Sequence, residues 1–323
     1  MRIAVLGVGA IGSLVSGRLA ICPDIELCIV ARGDQAIHLK ETGLLLESPY
    51  PEECEWHVTP DSWQVCSKVD EIPLDWIRSA DYAIICGKSK DTDDLSIFAD
   101  KILSPEGLCI SLQNGIGNEE LLAQKLGVER ILGASITHGS IKIAPGHTRW
   151  AGRGEIMIGI MPDSKINNED PRIDDLIECL HEADLSPKFV ENIITELWIK
   201  LILNVAINPI TAICGIKNGK LKKNELLFHA ACSAMYEAAM VARSIEIKLP
   251  SDEILYSNLS NLIDKTSENE SSMLQDIKSG KLTEVRSLCG EIEKYAELNG
   301  IQTPVNTNLI ALISGIEMTI GLN

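Results

Sequence analysis

The pattern of apolar and polar positions divides this chain into two textures. Up to about residue 190, short apolar runs alternate with amphipathic stretches. Residues 3–6, 25–30, 82–86, 108–112 and 131–136 read as buried strands. Between them, residues 10–20, 35–41, 93–103 and 119–126 repeat their apolar positions at helical spacing. This β-α alternation predicts a parallel sheet with helices on both faces. Residues 141–160 mix Gly and Pro with alternating Ile and Met, which predicts antiparallel strands finishing that sheet. One more helix over 171–183 and a last strand over 185–190 follow. Beyond that point strand signals stop. Helices are predicted over 193–214, 221–247, 252–265, 282–298 and 306–320, with stops at Gly215, Pro250, Gly280, Gly300 and Pro304. The expected fold class is an α/β Rossmann-type N-terminal domain with a parallel sheet (1–190), followed by an all-α C-terminal domain (191–323). The helical domain is expected to dock on the first and leave a cleft. The apolar helix over 309–320 suits either the core or a homodimer interface.

One predicted helix breaks its own pattern. Residues 196–209 are oily on nearly every side, except for Lys200, Asn204 and Asn208. At 3.6 residues per turn these three drift by only about 80° and line one face. A lysine among Trp198, Ile199, Leu201 and Ile202 is costly unless something accepts its protons. The stripe reads either as a polar seam satisfied by a neighbouring helix or as a grip on an oxygen-rich anion.

Composition narrows what that anion is. A net charge of −17 argues against a nucleic-acid partner, because most of the surface would repel phosphate. Any anionic ligand then needs a local island of Lys or Arg. No uninterrupted apolar run reads as long enough to span a bilayer, and the N-terminus opens on a strand without a signal-peptide layout. Neither a membrane partner nor secretion is expected. The ten cysteines form no C-x-x-C pair and several sit in apolar runs, as expected of reduced thiols in a cytoplasmic protein. Cys54 and His57 are near neighbours, but two ligands make no zinc site, and no metal is expected.

The opening strand runs directly into Gly7-Val8-Gly9-Ala10-Ile11-Gly12. In a strand-turn-helix unit the first glycine permits the tight turn. The second admits a pyrophosphate to the backbone. The third lets helix and strand pack closely, and the helix N-terminus offers N–H donors. The second strand ends at Arg32, 20 residues after Gly12, where an NAD site usually carries Asp or Glu. A guanidinium suits a 2′-phosphate, which favours NADP(H). The competing reading makes Arg32 a surface residue and Asp34 the ribose contact. Lys88 and Asn114 follow two further strand ends, where ligands of parallel sheets bind. Each also reads as an ordinary loop residue.

With these residues in place, the chain resembles the ketopantoate reductases (2-dehydropantoate 2-reductases) over nearly its whole length. The resemblance is carried by the glycine turn, Arg32, Lys88, Ser111-Leu112-Gln113-Asn114-Gly115, Lys200 with Asn204 and Asn208, and Asn218-Gly219. It continues through Ser271-Ser272-Met273-Leu274-Gln275-Asp276, Thr283-Glu284 and Thr303-Pro304-Val305-Asn306. It implies NADPH-dependent reduction of a 2-keto acid, ketopantoate to pantoate on the route to pantothenate. It implies Lys200 as general acid, with Asn204, Asn208, Asn218 and Ser272 as substrate contacts. Glu284 is implied as an acidic residue shared by cofactor ribose and active site. Lys88, Asn114 and Gly139 are implied as further contacts. The chain departs from the family where an acidic residue and an Asn-Gly pair usually follow Glu284. Here Arg286 and Cys289-Gly290 stand instead. That keeps open a relative acting on another branched or aromatic 2-keto acid. A non-catalytic NADPH-binding sensor is the reading from another class. Lys200, Glu284 and both stripe asparagines count against it.

Overall fold

The structure, a computed structural model, describes residues 1–48, 50 and 55–322; Cys54 lies outside the described residues. Contacts divide the chain into two compact units. The first holds Met1–Gln113 and Gly117–Ile193, and the second holds Asn114–Ile116 and the chain from Ile194 onward.

The first unit runs β1 (Arg2–Leu6), α1 (Ala10–Leu19), β2 (Glu26–Val30), α2 (Gly33–Glu41), β3 (Leu44–Glu47), β4 (Trp56–Val58) and β5 (Gln64–Cys66). It continues with β6 (Ala80–Ile85), α3 (Thr92–Ile102), β7 (Leu103–Ser111), α4 (Asn118–Leu126), β8 (Ile131–Ile136), β9 (Gly139–Ala144) and β10 (His147–Gly152). It ends with β11 (Ile156–Ile160), α5 (Pro171–Glu182) and β12 (Pro187–Phe189). The main sheet has the order β12-β11-β8-β7-β6-β1-β2-β5. All its pairs are parallel except β8 with β11. Side chains of a strand alternate between faces. Ile3 and Val5 therefore share one apolar cluster with Leu14 of α1 and Ile173 and Leu176 of α5. Ala4 and Leu6 point to the opposite face, and α3 and α4 pack against β1, β6, β7 and β8. Parallel strands buried on both faces explain why the predicted runs are continuously apolar.

The expectation that residues 141–160 finish the main sheet is corrected. β9 and β10 instead form a second sheet of order β4-β3-β10-β9, and only β11 joins the first. The small sheet packs on α1. A Cβ on Gly17 would stand 2.8 Å from Leu44 Cδ2, so the glycine lets β3 come close. β3, β4 and β5 are only three or four residues long, too short to show a period. The last strand also begins later than predicted. Asp184 and Ser186 have φ of 57° and 45°, a turn conformation no strand contains.

The second unit is helical: α6 (Ile193–Cys214), α7 (Glu225–Ser244), α8 (Asp252–Lys265), α9 (Ser272–Lys278), α10 (Val285–Leu298) and α11 (Pro304–Thr319). The single helix predicted over 221–247 splits into a 3-10 stretch, Asn218–Lys223, and α7. Asn224 makes the break: its side chain accepts from the Leu226 and Leu227 N–H groups and caps α7. By length and composition α6 is apolar enough to cross a bilayer, contrary to the reading of the bare sequence. Yet 67% of its apolar window is buried within the protein, as befits a core helix. Leu309, Ile310 and Ile313 turn the apolar face of α11 into the same core, while Leu312 and Met318 are exposed.

Candidate active site

In the first unit the glycine turn sits at the carboxyl end of β1, where the sheet order passes to β2 on one side and β6 on the other. Ligands of such sheets bind at this switch point. The Gly7 and Val8 N–H groups both donate to the Val30 carbonyl at 2.9 Å, which folds the turn against β2. Gly7 has φ of +86°, and a Cβ there would meet the Gly87 backbone N at 2.5 Å. Gly12 is packed almost as tightly, its missing Cβ lying 2.9 Å from the Gly7 oxygen. Gly9 differs: among the described residues, nothing lies within 4 Å of where its Cβ would stand. The protein's own packing does not demand this glycine. α1 starts just after Gly9 without a side-chain cap. Ala10 and Ile11, half-buried, form the first turn of α1. The turn thus leaves open backbone at an uncapped helix start, which fits a dinucleotide pyrophosphate.

Gly139 opens β9 opposite Gly152. Its neighbour Ser140 donates its hydroxyl to the Ala10 carbonyl at 2.9 Å, which brings this strand to the start of α1. Lys88 is half-buried at the end of β6, beside Gly87. Sequence reasoning named Gln113 within a family stretch but gave it no role. Its buried amide donates to the Gly87 carbonyl at 3.1 Å and to the Thr92 hydroxyl at 3.0 Å, tying the loops after β6 and β7 together. The available signal was an amide residue at a strand's carboxyl end. Arg32 is half-exposed, and its guanidinium bonds Asp91 at 3.3 Å and Asp94 at 3.0 Å.

In the second unit the polar stripe of α6 is real. Lys200 and Asn204 are half-buried, Asn208 is buried, and the Lys200 Nζ atom itself is sealed from solvent. The stripe is longer than predicted. Glu196, one turn before Lys200, lies on the same side, and burial pushes its carboxyl up from the ordinary range. Thr211 falls only about 20° from Lys200 around the axis. Its buried hydroxyl contacts the Ser271 Oγ at 2.8 Å. Ser271, and not Ser272, caps α9 by accepting from the Leu274 N–H. Ser272 is exposed as the first residue of that helix. Asn218 opens the 3-10 stretch with its amide donating to the Thr266 hydroxyl at 3.0 Å. Its buried Oδ1 has no hydrogen-bond partner among the described residues.

The remaining pair meets across 170 positions of sequence. The Asn114 amide donates to the Glu284 carboxylate at 3.1 Å. Gly115 makes the approach possible. At φ of +87°, its missing Cβ would lie 2.6 Å from the Ser287 carbonyl in the first turn of α10. Behind Glu284, the carboxylate of Glu317 on α11 accepts from the Thr283 N–H and hydroxyl at 2.8 and 2.7 Å. Of the two departures from the family pattern, Arg286 is exposed. Cys289 is fully buried in the helical core, where burial pushes its thiol up to about 12. The predicted residues thus form two sets. Gly7 to Gly12, Arg32, Lys88 and Gly139 lie in the first unit; Asn114, Lys200, Asn204, Asn208, Asn218, Ser272 and Glu284 lie in the second. No metal-binding cluster occurs among the described residues.

Two family profiles match the chain: ketopantoate reductase PanE/ApbA over residues 3–163, and its C-terminal counterpart over residues 192–317. The chain belongs to the ketopantoate reductase family. The 2-dehydropantoate 2-reductase of Pyrococcus horikoshii is 35% identical over 98% of both chains, and that of Archaeoglobus fulgidus 34% over 98% of both. Among solved structures, a PanE/ApbA family ketopantoate reductase from Ralstonia eutropha superposes with a TM-score of 0.86. It is 28% identical and covers 99% of each chain. D-mandelate dehydrogenase, solved with NADH and anilino(oxo)acetate, shares the fold at a TM-score of 0.88 and 21% identity over 99% of each chain. As a member of this family the protein is an oxidoreductase, and the family's cofactor is NADP(H).

Proposed function

We propose that this protein uses NADPH to reduce the 2-keto group of 2-dehydropantoate, giving pantoate on the route to pantothenate. The observation that carries the reading is the ammonium of Lys200, sealed from solvent on a face shared with Asn204 and Asn208. The glycine turn, Arg32, Lys88 and Gly139 would hold the dinucleotide in the first domain, and the helical domain would hold the keto acid. The bound nicotinamide supplies the hydride.

Reduction builds negative charge on the carbonyl oxygen. Lys200 polarises that carbonyl through its Nζ–H and then delivers the proton to the new alkoxide. Asn204 and Asn208 carry both donors and acceptors, which suits a substrate with a carboxylate and a hydroxyl. The unpaired Oδ1 of Asn218 accepts from the substrate hydroxyl, and Ser272 donates to the carboxylate. Glu284, held by Asn114, orients the substrate or the cofactor ribose. Free, largely buried cysteines suit a cytoplasmic enzyme.

The test is loss of reduced-nicotinamide absorbance with NADPH and a panel of 2-keto acids. Turnover should be fastest with 2-dehydropantoate. Lys200→Ala should lower kcat by about 10²–10⁴ while NADPH still binds. Near-wild-type turnover in that variant would remove Lys200 from its role. A second reading, another branched or aromatic 2-keto acid, draws on the exposed Arg286 two residues after Glu284. The same panel decides between them, and NADPH binding without turnover on any keto acid would indicate a sensor.

A further inference from the structure

The ion pair at Arg32 crosses the cofactor end of the sheet. Arg32 follows β2, whereas Asp91 and Asp94 begin α3 after β6. In the sheet β1 lies between those two strands. The guanidinium therefore bridges the carboxyl ends of β2 and β6 across β1, meeting the two carboxylates at 3.3 and 3.0 Å. All three side chains keep solvent access, with Arg32 52% and Asp94 65% exposed. The strap lies at the carboxyl end of β2, where a dinucleotide held at this switch point would place its adenosine ribose.

The charge around it is unusual for a phosphate site. Arg32, Lys88 and Lys90 share the stretches after β2 and β6 with Asp34, Asp91, Asp93 and Asp94. Three cations are outnumbered by four carboxylates. A 2′-phosphate approaching Arg32 must displace the two carboxylates from the guanidinium or share it with them. It meets their repulsion in either case.

We propose that Asp91 and Asp94 are specificity-determining residues that restrain the preference of this protein for NADPH over NADH. They compete with the 2′-phosphate for Arg32. A dinucleotide with a free 2′-hydroxyl does not experience that competition. This inference rests on the reading that Arg32 holds the 2′-phosphate, and the experiment separates the two.

The experiment is calorimetric titration of adenosine 2′,5′-bisphosphate and of adenosine 5′-monophosphate into the full-length protein, with no turnover required. Arg32→Ala should weaken the bisphosphate selectively. Asp94→Asn should tighten the bisphosphate by roughly two- to fivefold, the scale of one exposed ion pair, and leave the monophosphate within about twofold. Asp91→Asn combined with Asp94→Asn should tighten it further. The gain should shrink toward unity in about 0.5 M NaCl, where exposed charges are screened. The NADPH-to-NADH ratio of kcat/KM should rise in parallel. Unchanged or weaker bisphosphate binding in both Asp variants, with a selective loss in Arg32→Ala, would overturn the competition while leaving the Arg32 reading intact. Equal losses of both ligands in Arg32→Ala would overturn the Arg32 reading and the competition with it. Asp94 is exposed, so its substitution costs α3 only the modest stabilisation of one first-turn carboxylate and leaves the fold intact.

Discussion

Single side chains in this protein show how burial sets chemistry. His138 is buried between two fixed partners: its Nε2 bonds the Leu185 carbonyl at 3.0 Å, and its Nδ1 accepts from the Gly154 N–H at 3.0 Å. Only the neutral ring satisfies both. Desolvation, with the Arg153 charge adding to it, holds the imidazole below its ordinary range. The folded state thus binds fewer protons than the unfolded chain, whose histidine titrates near 6.5. The stabilisation is complete above about pH 6.5 and is lost as pH falls through the folded value. Chemical denaturation between pH 5 and 7.5 should show stability falling on the acid side, and His138→Gln should flatten that slope. An unchanged slope in the variant would assign the acid sensitivity to other groups. His138 stands next to Gly139, a residue that family resemblance placed at the cofactor. A histidine's position in sequence gave no hint of this structural role.

At the scale of elements, the turn between β1 and α1 separates folding from binding. Gly7 is required by the fold, because a Cβ would strike the Gly87 backbone and the positive φ adds strain. Gly9 meets nothing. Gly7→Ala should therefore cost at least about 2 kcal/mol of stability. Gly9→Ala should cost about 1 kcal/mol or less, yet weaken NADPH binding by at least tenfold, as its methyl enters space left open beside the helix start. Urea denaturation and nicotinamide fluorescence titration measure the two effects. Equal stability losses would show that Gly9, too, serves the fold. The motif itself was legible from spacing. The different duties of its glycines were not, because they depend on Gly87, 80 residues away. In α6 the stripe from Lys200 to Asn208 was likewise legible, since helical periodicity is local. Its extension to Thr211 and Ser271 needed the packing of α9.

Across the whole molecule, charge is the dominant global property. A net charge of −17 strains the compact state by self-repulsion. Raising NaCl from about 10 to 150 mM should lift Tm by about 2–4 °C, as the Debye length contracts to ~8 Å. A flat or falling Tm would mean that ion pairs such as Lys222–Asp264 and Arg243–Asp252 outweigh the repulsion. The same excess of acid reaches the loops around the glycine turn, where Arg32 and Lys88 supply the local positive charge that an anionic cofactor needs.

The division into an α/β half and a helical half was readable from sequence because strand and helix periods are local properties of neighbouring residues. So were the glycine turn, the stripe on α6 and the family those residues point to. What only the tertiary structure decided depends on partners far apart in the chain. β9 and β10 leave the main sheet for a second one because β3 offers them a paired edge and α1 a surface to cover. Asn114 meets Glu284 because Gly115 lets a turn press on the first turn of α10. Arg32, read from sequence as a 2′-phosphate contact or a surface residue, is engaged by Asp91 and Asp94 because β1 sets β2 and β6 two strands apart. Periodicity reports which face a side chain takes; it carries no information about which distant residue that face will meet.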